Sequence, residues 1–145
     1  MYWSSYGIIE GADMDGSNRR NITLLRHSFG QYDALGLALD VKMNRLYFVS
    51  YYLYGLFYIN LDSAGSPYIP QSLLQSFFYF DVPHGVALDD QFVYWNEYYE
   101  EKVYRVNKTV AGGNIETVAA GIYSPFGLAV KKGTPTRNSK YKFFE

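Results

Sequence analysis

The sequence predicts an all-β fold built from repeats, and two landmarks predict it. A Gly-apolar-Ala-apolar segment occurs three times, beginning at Gly36, Gly85 and Gly127. A tyrosine followed by a large aromatic residue also occurs three times, as Tyr2-Trp3, Tyr47-Phe48 and Tyr94-Trp95. The copies of each landmark lie about 40 to 50 residues apart, which is the period of repeated four-stranded units. Since the landmarks keep one order along the chain, they indicate one supersecondary unit used several times.

Each repeat is predicted to contain four short antiparallel strands. The Gly-apolar-Ala-apolar segments have no polar residue before their last position, which is typical of an innermost strand buried on both faces. The aromatic landmark extends into β-branched and aromatic runs at 46–49 and 92–95, which favour a second strand. Met43-Asn44 and Asp90-Gln91 stand where a tight turn would join these two strands.

The remaining strands are less regular in sequence. Outer strands are predicted at 22–25 and 115–118, and the last repeat should have its inner strand near 127–130. Residues 71–80 leave two alternatives, an outer strand with a long loop or a segment with one helical turn. Helix content should be very low, because no stretch shows a long apolar period of 3.6 residues.

Composition limits the class of protein. Hydrophobic residues make up 48% and aromatic residues 19% of the 145 residues, which is typical of a folded β-rich chain. A net charge of −1 gives no general attraction to nucleic acid or to anionic membranes. Because the sequence has no cysteine, it cannot form disulfides, thiolate zinc sites or cysteine nucleophiles. It also contains no apolar run of roughly 20 residues and no signal peptide.

The repeat resembles the class B (YWTD) repeat of low-density-lipoprotein-receptor-type proteins, whose signature is Tyr-Trp-Thr-Asp. The signature stands here as Tyr2-Trp3-Ser4-Ser5, Tyr47-Phe48-Val49-Ser50 and Tyr94-Trp95-Asn96-Glu97. Three companion motifs also match: 12–19 resembles the end of the family's third strand, 83–89 and 125–130 its Pro-x-Gly first strand, and 103–108 its Arg-x-Asn-Lys variant. The resemblance covers residues 1–131.

The resemblance implies part of a six-bladed YWTD-type β-propeller, with about three four-stranded antiparallel blades. Its repeats would span 1–35 (partial), 36–84, 85–125 and 126–131 (partial), so the chain would be a fragment of a longer receptor. Residues 132–145 are basic and are predicted to be a disordered tail, with a nucleic-acid or heparin patch as the alternative. No copy keeps the final Asp of the signature, so Ser5, Ser50 and Glu97 should tie the strands together less uniformly.

The function that the resemblance implies is that of a non-catalytic receptor module. It would bind a protein ligand, or position neighbouring modules such as EGF-like domains, in an endocytic or signalling receptor of the lipoprotein-receptor group. It would lie in the extracellular part of a cell-surface membrane receptor, without nucleic acid and without direct membrane insertion. No catalytic residue, metal ligand or cofactor is predicted.

One enzyme remains as the alternative, a six-bladed propeller hydrolase of the gluconolactonase-like type. Such an enzyme needs Glu, Asn and Asp ligands for a central metal at the inner ends of several blades. The inner segments of this sequence carry alanine where those ligands would stand, at Ala38, Ala87 and Ala129. The sequence therefore favours the receptor module.

Three sets of surface residues are candidates for function. Asn21 and Asn107 begin Asn-x-Thr triplets and are predicted glycosylation acceptors. Five tyrosines that follow the signature strands are predicted partner contacts, because exposed tyrosine is favoured at protein interfaces: Tyr51, Tyr52, Tyr54, Tyr98 and Tyr99. The tyrosines and tryptophan of the signature are instead predicted to fill the space between blades.

The titratable residues leave alternatives open. His84 stands at a strand entrance, where a solvated or locally hydrogen-bonded imidazole is expected and a pH-sensing role is the alternative. The acidic residues near Asp89 and Glu97 are expected to form a solvated rim rather than a calcium site. Finally, about three blades would leave two uncovered apolar faces, so the chain alone is expected to self-associate or aggregate.

Overall fold

The computed structural model describes residues 1–5, 7–24, 26–27, 30–31, 34–62, 68–76 and 79–131. Within these residues all regular secondary structure is β-strand. The strands are β1 (Tyr2–Ser5), β2 (Ile8–Gly11), β3 (Arg20–Leu24), β4 (Arg26–His27), β5 (Gly30–Gln31), β6 (Leu35–Asp40), β7 (Arg45–Ser50), β8 (Gly55–Asn60), β9 (Gln71–Gln75), β10 (Pro83–Leu88), β11 (Phe92–Glu97), β12 (Lys102–Asn107) and β13 (Glu116–Ala120).

The strands form three successive sheets, which we call blades. Blade 1 is β1-β2-β3, blade 2 is β6-β7-β8-β9 and blade 3 is β10-β11-β12-β13, and β4 pairs with β5 in a short ladder. Every strand pair in the described residues is antiparallel. The predicted all-β, antiparallel fold is therefore confirmed, with three strands in the first sheet and four in each of the other two.

The repeat extends to details of strand register. In each blade the outer strand carries one extra residue where its pairing with the third strand shifts, at Ile22, Leu73 and Val118. The carbonyl of this bulged residue is free of the ladder and can bond elsewhere. The Ile22 carbonyl accepts the Tyr68 N–H at 2.8 Å, and the Leu73 carbonyl accepts the Gly112 N–H at 2.9 Å. A loop of each later blade is thus fastened to the outer strand of the blade before it.

The core consists of two layers, one between each pair of adjacent blades. Alternate residues of a strand point to opposite faces, so β7 supplies both layers. Phe48 belongs to the layer shared with blade 1, together with Phe57 and Ile9. Tyr47 belongs to the layer shared with blade 3, together with Trp95. The wedge between blades is filled by the aromatic residues of the signature.

The inner strands differ from the prediction of burial on both faces. β10 is mostly buried, but β6 is only half-buried along most of its length, and Leu39 is 42% exposed. The reason is that β10 lies between β6 and residues 126–128, whereas β6 has β10 on one side and only a small contact with β1 on the other. Gly36 fits because β10 passes very close: a Cβ placed there would lie 2.3 Å from the His84 carbonyl oxygen.

Two other predicted segments differ from the structure or lie partly outside the described residues. Residues 127–130, predicted as an inner strand, form no strand, because no described strand pairs with them. The ambiguous segment 71–80 begins with the outer strand β9, and 77–78 lie outside the described residues. The predicted tail 132–145 also lies outside them. In the part of the chain that is described, no helix is long and apolar enough to span a membrane.

Candidate partner-contact surface

Two equivalent turns carry the five tyrosines predicted to contact a partner. Residues 51–54 join β7 to β8, and residues 98–101 join β11 to β12. The last residue of each turn has a left-handed backbone conformation, with φ of 47° at Tyr54 and 54° at Glu101. Both turns therefore have four residues and close the same way, and they present matching positions on adjacent blades.

Exposure divides these tyrosines into two kinds. Tyr52 and Tyr99, each the second residue of its turn, are 52% and 69% exposed. Tyr51 and Tyr98 lie partly buried beneath them, with ring centroids 5.0 Å from Tyr52 and 5.1 Å from Tyr99 respectively. Tyr54 is also partly buried and packs on the core between blades 2 and 3. The structure thus groups the tyrosines by turn, with one exposed ring supported by a second ring in each.

Sequence reasoning missed a third aromatic group beside Tyr98. The rings of His84 and Phe126 lie 4.6 Å apart, and they lie 5.8 and 5.3 Å from the Tyr98 ring. Phe126 is 63% exposed. A signal was present, because His84 and Phe126 both occupy the middle position of a Pro-x-Gly motif and so enter an inner segment at the same end of the sheet. We call Tyr52, Tyr99 and Phe126, with the rings that support them, the aromatic surface.

His84 was expected to be solvated or locally hydrogen-bonded, and the structure places its ring against two other rings. It is half-buried between Tyr98 and Phe126, and burial lowers its pKa below the ordinary value. The imidazole is therefore neutral at neutral pH, and it acts as a flat partner for the neighbouring rings.

The acidic residues at this end of the blades divide between surface and core. Glu100 accepts a hydrogen bond from the Tyr104 hydroxyl and one from Lys102 Nζ at 3.1 Å, and these bonds lower its pKa. Glu97, predicted as part of a solvated rim, is instead 1% exposed. One of its oxygens accepts the Val82 N–H at 3.0 Å, and the other has no hydrogen-bond partner in the described structure. Burial raises the pKa of Glu97 to about 8, so it is mostly protonated at neutral pH.

The signature residues lie in the core. Tyr47, Phe48, Tyr94 and Trp95 are each at most 1% exposed. The Trp95 ring stacks on Phe80 with centroids 5.0 Å apart. Those of the first repeat, Tyr2 and Trp3, are only half-buried.

The Trp3 side chain is held by charged neighbours. Its indole N–H donates to Glu10 at 3.0 Å, and the Arg19 guanidinium lies 5.3 Å from its ring centroid while pairing with the same carboxylate. On the side of blade 1 that faces away from blade 2, polar groups therefore surround Trp3, where blade 2 has buried rings.

A buried ion pair joins blades 2 and 3 at the opposite end of the strands. Lys108 Nζ lies 2.5 Å from the Asp40 carboxylate, and both side chains are 5% exposed. Asp40 also accepts the backbone N–H groups of Lys42 and Met43. Burial by itself would raise the pKa of Asp40, but Lys108 and the two amides outweigh that effect and lower it.

The predicted glycosylation acceptors lie in different settings. Asn21 is exposed on the outer strand β3. Asn107 is half-buried at the end of β12. Its side-chain oxygen Oδ1 accepts hydrogen bonds from the Thr109 N–H and hydroxyl at 2.9 and 2.8 Å. Among the described residues, no group of three or more histidine, aspartate or glutamate side chains is placed to hold a metal ion.

Comparison with known proteins supports the fold. No protein-family model matches the chain. A chain in the crystal structure of a nidogen/laminin complex is similar, with a TM-score of 0.66 and 19% sequence identity. The match covers 88% of this chain and 46% of that chain, so this chain spans about half the length of its neighbour. The class that the blades and this likeness define is the β-propeller, present here as three successive blades.

Proposed function

We propose that this chain is a protein-binding module of YWTD type that binds its ligand through the aromatic surface. The observation that carries the proposal is the exposure of Tyr52 and Tyr99, at 52% and 69%, on equivalent turns of adjacent blades. Two large rings exposed to water contribute little to the stability of the fold, whereas tyrosine is enriched where proteins bind one another.

The turn that holds Tyr52 is restrained, which favours binding. The Ser50 hydroxyl accepts the Leu53 N–H at 3.2 Å, and the Tyr54 N–H donates to the Tyr51 carbonyl at 3.1 Å. A ring that is already fixed loses little conformational entropy when a partner covers it. Phe126 extends the surface towards the segment after blade 3.

The proposed setting is the extracellular part of a cell-surface receptor of the lipoprotein-receptor group. Support comes from the Tyr-aromatic, Pro-x-Gly and Arg-x-Asn-Lys motifs, and from the likeness to a chain of a nidogen/laminin complex. Neighbouring modules such as EGF-like domains would complete the receptor, and Asn21 and Asn107 would carry glycans. We further propose that the module is not an enzyme, since its inner segments carry alanine where a gluconolactonase-like site needs metal ligands.

Laminin is the probe for the first binding experiment, because the similar solved chain is part of a complex with laminin. Surface plasmon resonance should give saturable binding of the 145-residue chain to immobilised laminin. The double variant Tyr52→Ser/Tyr99→Ser should weaken it at least about tenfold, since truncating a tyrosine that is an interface hot spot costs about 2 kcal/mol or more.

The control is Val110→Ser, which changes an exposed side chain at the opposite end of the blades. It should leave the affinity unchanged. Equal binding by the wild type and the double tyrosine variant would reject the aromatic surface as the site. No binding of the wild type would reject a laminin-type ligand.

A second proposal concerns self-association. Among the described residues, no blade packs against the side of blade 1 that faces away from blade 2, or against the segment after blade 3. Met1 at the start of blade 1 and Phe126 in that segment are both substantially exposed. Apolar burial contributes about 25 cal/mol per Å², so covering such faces stabilises a complex of chains. We therefore expect the isolated chain to associate with itself.

A further inference from the structure

Blade 1 has a free inner edge. β1 pairs with β2 on one side, and no strand in the described part of the chain pairs with its other side. The equivalent strands β7 and β11 pair on both sides, with β6 and β10 as their inner neighbours. Correspondingly, β1 is half-exposed, whereas β7 and β11 are buried from their second residue onward. An unpaired strand edge is a template for the addition of another strand.

The same chain carries an inner-strand sequence that pairs with none of the described strands. Residues 125–130 repeat the Pro-x-Gly-apolar-Ala-apolar pattern of β10 but form no strand. Their position is nevertheless that of an inner strand, because a Cβ at Gly85 would lie 2.9 Å from the Leu128 Cβ. The Asn96 side chain also donates to the Gly127 carbonyl at 3.3 Å. The segment therefore lies beside β10 as β10 lies beside β6.

One copy of the chain cannot join these two parts to each other. Blades 2 and 3 separate β1 from residues 125–130, which lie at opposite ends of the row of blades. A second copy can supply the strand partner that each of these two parts lacks among the described residues. Since the chain spans 46% of a similar propeller chain, two copies in head-to-tail order provide close to one full ring.

We propose that two copies of this chain close one ring, with residues 125–130 of each copy pairing antiparallel with β1 of the other. The inference rests on the self-association proposed above and adds its stoichiometry and register. In blade 3, Val86 stands opposite Trp95 and Ala87 opposite Tyr94. The repeat transfers this register to the new pair, so that Ala129 of one copy lies opposite Tyr2 of the other.

The difference in burial between Ala87 and Ala129 supports this pairing. Ala87 is 7% exposed because β11 and its neighbours cover it. Ala129, at the same place in the repeat, is exposed. A bulky side chain at Ala129 would therefore leave the single chain undisturbed and would prevent the strand from pairing.

Light scattering after size-exclusion chromatography tests the stoichiometry. The wild type should elute as a particle of twice the 16.7 kDa chain mass. Ala129→Arg should halve that mass, whereas Ala111→Arg, the same change in an exposed turn of blade 3, should leave it unchanged. A monomeric wild type would overturn both this inference and the proposed self-association. A ladder of larger open oligomers, or a dimeric Ala129→Arg, would overturn the closed ring.

Disulfide cross-linking tests the register, since the chain has no cysteine of its own. Tyr2→Cys and Ala129→Cys chains are made separately, mixed and oxidised. A covalent dimer should form in the mixture, because directly opposite residues have Cβ atoms close enough for a disulfide. Tyr2→Cys mixed with Val130→Cys, whose side chain points to the other face, should give much less. Equal yields, or none in a sample of dimer mass, would overturn the pairing and leave self-association standing.

Discussion

The two blade interfaces use matching backbone positions for different chemistry. Between blades 1 and 2, Phe48 and Phe57 stack with ring centroids 5.6 Å apart in an apolar layer. Between blades 2 and 3, the matching positions hold Trp95 and Tyr104, with centroids 5.5 Å apart. That second layer, however, is flanked by buried titratable groups, Glu97 at one end and the Lys108–Asp40 pair at the other.

The clearest contrast is at the end of the third strand. Leu61 follows β8 and packs against the apolar layer between blades 1 and 2. Lys108 follows β12 at the same place and reaches the carboxylate of Asp40 in the preceding blade. The repeat thus fixes where two blades meet, while the side chains decide whether the contact depends on charge and pH. The first interface should be insensitive to pH and the second should not.

The largest effect is expected when the buried pair is broken. Lys108→Met keeps the aliphatic stem but leaves Asp40 buried without its cation, which should lower the free energy of unfolding by about 4 kcal/mol. Chemical denaturation measures the loss. The double variant Lys108→Met/Asp40→Asn should recover part of it, because no unpaired charge remains. A loss below about 1 kcal/mol for the single variant would show that the pair does not hold the blades together.

The next effect comes from Glu97. Its pKa of about 8 in the fold lies above its ordinary value of 4.5, so the folded state favours the proton. The free energy by which protonated Glu97 stabilises the fold relative to its ionised form is therefore fully present at acid pH. It is lost as the pH rises from about 4.5 to 8. Between pH 5 and pH 8 the loss should be about 3 kcal/mol, and Glu97→Gln should remove that slope.

Denaturation curves at several pH values provide this test. Phe48→Ala is the reference variant for the apolar interface, and its loss of stability should be the same at pH 5 and pH 8. An unchanged slope in Glu97→Gln would mean that other groups cause the pH dependence.

Ser50 gives a second contrast between the two interfaces, because it occupies in blade 2 the position that Glu97 occupies in blade 3. Its hydroxyl is fully buried and accepts the Leu53 N–H of the following turn. Ser50→Ala should cost about 1 kcal/mol, the usual value of one such hydrogen bond, at every pH. Thermal melting at two pH values measures it. A pH-dependent loss would contradict the view that only the second interface titrates.

The smallest effect is expected for the exposed ion pair beside the buried one. Lys42 and Asp90 also link blades 2 and 3, at 2.7 Å, but their side chains are 71% and 66% exposed. Water and salt screen such a pair, so Lys42→Ala should leave the free energy of unfolding almost unchanged. A loss close to that of Lys108→Met would remove burial as the explanation of the difference.

The sequence allowed the fold to be predicted because the repeat is visible in types of residue that have a structural reason. Glycine is required at 36 and 85 because the next inner segment passes too close for a side chain. Tyr47 and Trp95 fill the space between blades 2 and 3. Residues 127–130 match the same pattern, yet they form no strand, since a strand depends on its partner as well as on its own sequence. A local pattern therefore predicted the placement of this segment beside Gly85 but not its pairing.

The candidate site was predicted less completely for a related reason. Tyr52 and Tyr99 could be found because the turns follow the signature strands directly. Phe126 joins them only through the Pro-x-Gly entrance of a segment remote in sequence. The burial of Glu97 also depends on neighbours from another part of the chain, such as Val82. A single sequence does not reveal such tertiary neighbours.

The close approach at Gly36 and Gly85 also bears on curvature. At both positions a Cβ would lie within 3 Å of atoms in the next inner segment, so adjacent segments meet almost backbone to backbone. Farther from the axis, large rings on the second and third strands hold neighbouring sheets apart, and the small inner spacing together with this larger spacing sets the angle between successive sheets. A side chain at either glycine would push the narrow ends apart and flatten that angle. The two glycines therefore help to determine how many sheets complete a circle.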